Sequence, residues 1–271
     1  MDIMQDTESG HIRVRDGARI GYSLRGDARS ARRYVLLHSL GMDRAFWEPV
    51  AARLAWDALV MTVDCRGHGA SDKPAGPYTV EQFAQDVHEL VGAFRFDDVV
   101  IAGASMGGCV ALQFAATWPR LTRGVGLIDT TAWYGENAPK NWEERAAKAE
   151  AGGLLPLVEF QITRWFGDAF RAQNPEVVAR CVNTFLRNDV HAFASTCRML
   201  GAFDGRASLA KVRAPCAIVV GEEDYAAPPE MARALHAGIV GSTLTLIPGA
   251  RHLTPLETPD IVIAELSKLA A

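Results

Sequence analysis

Hydrophobic positions fall along this chain in two alternating styles. Residues 34–37, 58–63, 99–102, 125–128, 216–220 and 244–247 are short, continuous apolar runs without polar alternation. Such runs suit strands buried on both faces of a parallel sheet. Between them come stretches of helical period. Residues 80–94 place Phe83, Val87, Leu90, Val91 and Phe94 on one stripe, 106–117 are small and apolar, and 257–269 repeat Ile261, Ile263, Leu266 and Leu269. Ahead of them, residues 11–15 and 18–25 flank Asp16-Gly17, a dipeptide suited to a tight hairpin because glycine accepts positive φ. A hairpin followed by alternating strand and helix predicts an α/β fold, a doubly wound and mostly parallel central sheet flanked by helices.

Residues 132–208 break the alternation. They carry Trp133, Trp142, Phe160, Trp165, Phe166, Phe170, Phe185 and Phe193 but no convincing strand run. The pattern predicts a core of 1–131 and 209–271, with 132–208 a helical lid inserted after the sixth strand. An insertion there roofs the carboxyl ends of the strands, where ligands bind in open α/β sheets.

Composition narrows the function. A net charge of −4 gives no field for attracting nucleic acid, and 49% hydrophobic residues with 22% charged suit a globular protein. No apolar run reaches the roughly 20 residues of a membrane span. Residues 1–8 are acidic and polar, with neither the basic nor the apolar region of a leader. Five cysteines, 65, 109, 181, 197 and 216, form no CxxC pair, which suits a reducing, cytoplasmic setting. Cys65 and Cys109 are expected to pack rather than react. The oligomeric state stays open, a homodimer among the options.

Gly103-Ala104-Ser105-Met106-Gly107 matches G-x-S-x-G between a strand run and a helical stretch. That is the setting of a nucleophile elbow, whose strained turn needs glycine two residues either side of the serine. A neutral serine needs an adjacent base. Of seven histidines, His252 follows the last strand run in a loop, on the sheet edge that Ser105 occupies. The third member must be a carboxylate that fixes the imidazole tautomer. Asp224, after the 216–220 run, comes first; Asp129, which also closes a strand, comes second, and Glu222 and Glu223 are further rivals. Backbone N–H groups of Met106 and Leu40 are the candidate oxyanion donors. Trp133, Trp165 and Ser39 are candidate substrate contacts, and Arg164 a candidate partner for a substrate carboxylate.

Asp64-Cys65-Arg66-Gly67-His68-Gly69-Ala70-Ser71 resembles the D-x-R-G-H-G-x-S loop of the α/β-hydrolase superfamily, and the likeness covers nearly the whole chain. Ser105, Asp224 and His252 also follow its serine–acid–histidine order. Ser39-Leu40-Gly41-Met42-Asp43 with Trp47, Gly76-Pro77-Tyr78-Thr79 and Arg164-Trp165-Phe166 are similar to 3-oxoadipate enol-lactonases. Two departures stand out: His38 where those lactonases usually carry Asn, and the aromatic bulk of Trp133-Tyr134. The resemblance implies a serine hydrolase of a small ester or lactone, working through an acyl-enzyme without metal or organic cofactor. A C–C bond hydrolase or perhydrolase of the same fold, or a hydrolase-like ligand receptor, remain as alternatives.

Overall fold

The computed structural model describes residues 7–270. The first six residues of the acidic start lie outside them. Strands β1 (Thr7–Arg13) and β2 (Arg19–Gly26) form the expected hairpin, with Gly17 at φ 92° in its turn. β3 (Arg33–Leu37), β4 (Leu59–Val63), β5 (Val99–Ala104), β6 (Thr122–Ile128), β7 (Cys216–Gly221) and β8 (Thr243–Ile247) coincide with the apolar runs within a few residues. They assemble into one eight-stranded sheet of order β1-β2-β4-β3-β5-β6-β7-β8. The β1–β2 and β2–β4 pairings are antiparallel and the rest parallel.

Every position of β4, β5 and β7 is buried, so both faces of the sheet must be covered. The cover comes from α1 (Glu48–Leu54), α2 (Val80–Ala93) and α3 (Met106–Thr117), and from two later helices. Between β6 and β7 the chain runs through α4 (Ala138–Gly152), α5 (Val158–Trp165), α6 (Asp168–Gln173), α7 (Pro175–Leu186), α8 (Val190–Ala202) and α9 (Arg206–Leu209), with no strand among them. The later helices are α10 (Pro229–Gly238), α11 (Thr254–Glu257) and α12 (Pro259–Lys268), of which α10 and α12 pack against β7. The helix expected over 257–269 is α12, and the short α11 comes just before it. Proline opens each of them, at Pro255 and Pro259, because a residue without an N–H fits the first turn and interrupts a ladder elsewhere. Among the described residues no helix is long and apolar enough to cross a membrane.

Candidate active site

The turn from β5 into α3 sets the geometry. Ser105 sits there at φ 53°, ψ −114°, a conformation that costs a non-glycine residue about 1–3 kcal/mol. Its neighbours permit it only as glycines. A Cβ on Gly103 would lie 2.0 Å from the Gly107 carbonyl oxygen, and one on Gly107 would lie 2.2 Å from that of Leu37. Thr130 Oγ1 donates to the Ser105 carbonyl at 2.7 Å and holds the turn from β6.

Asp224 and His252 come from neighbouring loops, after β7 and β8. These loops pack closely at Gly221, where a Cβ would meet the Arg251 carbonyl oxygen at 2.2 Å. His252 Nδ1 lies 2.7 Å from Asp224 Oδ2, and Nε2 lies 2.8 Å from Ser105 Oγ. A carboxylate only accepts, so Nδ1 carries the proton and Nε2 is left to accept from the serine hydroxyl. Asp224 Oδ1 accepts from the backbone N–H groups of Ala226 (2.7 Å) and Ala227 (2.9 Å). All three side chains are buried.

The rival acids are engaged elsewhere. Glu222 and Glu223 are exposed. Asp129 is fully buried, but its carboxyl accepts from Gly221 N–H (3.3 Å) and from the N–H (2.9 Å) and hydroxyl (2.8 Å) of Thr254. The rival bases are occupied too. His38 Nδ1 donates to the Ser39 carbonyl (2.8 Å) while Nε2 accepts from Cys65 N–H (3.0 Å), and burial pushes its pKa down. His68 is likewise buried, with its pKa pushed down to about 3 by burial. Arg66 of the same loop is buried between Asp86 (2.7 Å) and Asp16 (2.8 Å), so this loop is held as structure.

A cavity of about 290 Å³ opens above Ser105 and His252, bordered by Ser39, Leu40 and Trp165. Among the described residues, the backbone N–H groups of Leu40 and Met106 donate to no protein acceptor. Trp133, expected as a substrate contact, lies apart from this cavity. Its backbone pairs with Asp204, its ring lies 3.9 Å beneath the Arg206 guanidinium, and it lines a different hollow. Its neighbour Tyr134 faces the cavity instead. All five cysteines are free and buried, and burial pushes the Cys65 and Cys109 thiols up, the latter to about 11.

A profile of the alpha/beta hydrolase family matches residues 34–265. The chain belongs to the alpha/beta hydrolase family. It is 30% identical to 3-oxoadipate enol-lactonase 2 of Acinetobacter baylyi over 83% of this chain and 84% of that one. It is 29% identical to 3-oxoadipate enol-lactonase 1 of the same organism over 95% of each. The crystal structure of the enol-lactonase from Burkholderia xenovorans LB400 superposes with a TM-score of 0.92 at 31% identity, covering 96% of this chain and 99% of that one. The mostly parallel sheet with flanking helices is this family's fold.

Beside Trp165 and Arg164, which the sequence already singles out, this hydrolase's cavity has lining residues that it does not, namely Ala138, Asn141, Trp142, Arg145 and Gln161. Ala138, Asn141, Trp142 and Arg145 of α4 line it, as do Gln161, Arg164 and Trp165 of α5. The offsets are i, i+3, i+4, i+7 and i, i+3, i+4, one face of each helix. Arg145 lies over the rings of Trp142 (4.6 Å) and Phe160 (5.1 Å), and Arg164 over Phe160 (4.2 Å). Among the described residues neither arginine forms an ion pair, and burial depresses the pKa of both, offset in part at Arg164 by the charge of Asp224.

Proposed function

We propose that this chain is a serine hydrolase that opens a small ester or lactone carrying a carboxylate, best matched by an enol-lactone of the 3-oxoadipate type. The observation that carries the reading is a hydrogen-bonded series, Asp224 to His252 to Ser105, ending in a cavity whose wall bears two unpaired arginines. A partly desolvated guanidinium without a counter-charge is costly, and a substrate carboxylate supplies charge-assisted hydrogen bonds to it. The enol-lactonase relatives act on a lactone by name, in keeping with that pocket.

In this mechanism His252 takes the Ser105 proton as Oγ attacks the carbonyl carbon, and the Leu40 and Met106 N–H groups receive the oxyanion. Collapse expels the enol oxygen, which takes the proton from His252. Water then attacks the acyl-enzyme by the same base. Helices α4 and α5 act as the lid that holds the substrate over Ser105.

The test compares the enol-lactone acid with its neutral methyl ester. The acid should be preferred by about 10–100-fold in kcat/KM, the worth of one or two lost charge-assisted bonds, and Arg145→Ala or Arg164→Ala should erode that preference. Ser105→Ala should lose about three to six orders of magnitude in kcat. A serine-directed phosphonate should label Ser105 once per chain. Equal turnover of acid and ester would sink the carboxylate assignment, and labelling elsewhere with loss of activity would sink the serine mechanism.

A further inference from the structure

Gln161 carries a buried amide that the protein itself leaves unanswered. The residue belongs to α5, is 5% exposed, and lines the cavity above Ser105. Among the described residues its side chain makes no hydrogen bond to protein. Gln82, Gln85 and Gln113 are less buried, yet each has a partner: Asp16 at 3.5 Å, Glu89 at 3.1 Å and Thr117 at 3.3 Å. An amide offers two donors and an acceptor, and burying it unpaired is unfavourable.

The fold does not call on this amide. Other groups fasten α5: the Arg251 guanidinium donates to the Thr163 and Phe166 carbonyls (2.7 and 3.2 Å), and Leu253 N–H donates to the Trp165 carbonyl (3.0 Å). Gln161, Arg164 and Trp165 stand at i, i+3 and i+4, on one face of the helix. A group held in the cavity by Arg164 therefore lies within reach of the amide. The Arg164 guanidinium rests against Phe160 at 4.2 Å and, among the described residues, forms no ion pair.

We propose that Gln161 is a specificity-determining residue, whose amide N–H donates to an oxygen of the same substrate carboxylate that Arg164 neutralises. It rests on the carboxylate-bearing substrate proposed above and adds the uncharged half of its recognition. A carboxylate presents two oxygens with about four lone-pair sites, more than one guanidinium occupies. A neutral donor fills one of them without placing a further like charge beside Arg164. The charge attracts any anion. The amide fixes where the carboxylate oxygen sits, and with it the span from that oxygen to the carbonyl over Ser105. No bond is made or broken at Gln161, and the amide keeps its protons.

Two variants and two readouts test this role. Gln161→Leu removes the donor at similar volume and should lower kcat/KM for the enol-lactone acid about 10-fold, mainly through KM, shrinking the acid-to-methyl-ester ratio by a similar factor. Its Tm should stay level or rise, because an apolar side chain replaces an amide that has no protein partner. Gln161→Glu keeps the shape but puts an acceptor and a negative charge where the donor stood. It should cut turnover of the acid about 100-fold, while the carboxamide of the same lactone, which can donate, loses less. An acid-to-ester ratio left unchanged by Gln161→Leu overturns the proposal. So does a lowered Tm, since the amide would then be holding α5. Equal losses for acid and carboxamide in Gln161→Glu overturn it independently. The parent separates the two failures: a parent that prefers the acid, with Gln161→Leu keeping that preference, rejects the glutamine's role alone. A parent indifferent between acid and ester rejects the carboxylate reading beneath it.

Discussion

Asp129 and Asp224 end adjacent strands of one sheet, both buried, and hydrogen bonding separates their tasks. Asp224 receives two backbone N–H groups and the His252 imidazole, whereas the Asp129 donors are Gly221 and Thr254, none of them the histidine. The Asp129 carboxyl is pushed well above the usual range by burial, and further by the charge of Asp224. Asp224→Asn should therefore cost about 10⁴-fold in kcat, as tautomer loss does in other triads, while Asp129→Asn should cost less than about tenfold. Stability gives a second check with a definite sign. A carboxyl whose folded pKa is raised leaves the folded form holding more protons above the unfolded value of about 4, so stability falls as pH climbs through that window. Asp129→Asn removes that slope, and its Tm relative to the parent should improve between acid and neutral pH. Parallel Tm curves would contradict the assignment. The sequence alone ranked these two acids by the loops they occupy, Asp224 following the 216–220 run ahead of Pro228-Pro229. It had no access to the positive φ of Asp129 (47°) or to the Thr254 contacts that engage its side chain.

At the scale of elements, the loop carrying His252 and the helix walling the cavity are fastened together. Glu257 of α11 accepts the N–H groups of Gly167 (2.8 Å) and Arg251 (2.9 Å). The Arg251 guanidinium donates to the Thr163 (2.7 Å) and Phe166 (3.2 Å) carbonyls and pairs with Asp168 at 3.0 Å. Leu253 N–H donates to the Trp165 carbonyl at 3.0 Å. Residues 163–168 are thus tied to the loop carrying His252, while α4 packs on α8 as the other half of the insertion. Glu257→Ala strands two N–H groups and should cost about 1–3 kcal/mol in urea unfolding, with kcat/KM falling for every substrate because base and wall shift together. Retained kcat/KM in a destabilised variant would show that the fastening serves the fold alone. The elbow, the strands and the order of the three loop residues were legible because each leaves a local mark: a glycine pair, an apolar run, a polar residue closing a run. The wall was not. Apart from Arg164 and Trp165, its residues Asn141, Arg145 and Gln161 sit at helical offsets, but polar residues on a helix read as its solvated face until a second layer is known to cover them.

Over the whole molecule, a chain of net charge −4 places at one cavity two arginines that form no ion pair among the described residues. Most other arginines are ion-paired, as Arg19 with Asp72, Arg123 with Asp98 and Arg198 with Glu143 and Glu150. The cavity is therefore a local positive well on a negative body, whose low-dielectric walls focus the field. Such a well should capture an anion and be indifferent to a neutral ester. Salt separates the two, since the screening length shrinks from about 10 Å at 0.1 M to about 3 Å at 1 M. Over that range kcat/KM for the carboxylate-bearing lactone should fall several-fold, mainly through KM, and that for p-nitrophenyl acetate should hold nearly constant. The slope should flatten in Arg145→Ala and Arg164→Ala, whereas Arg198→Ala, at an ion-paired surface site, should leave it unaltered. Equal salt sensitivity for charged and neutral substrates would mean that salt acts on the protein itself. The two arginines would then be held by their aromatic neighbours as packing, and recognition would fall to the uncharged lining of Ser39, Gln161 and Trp165.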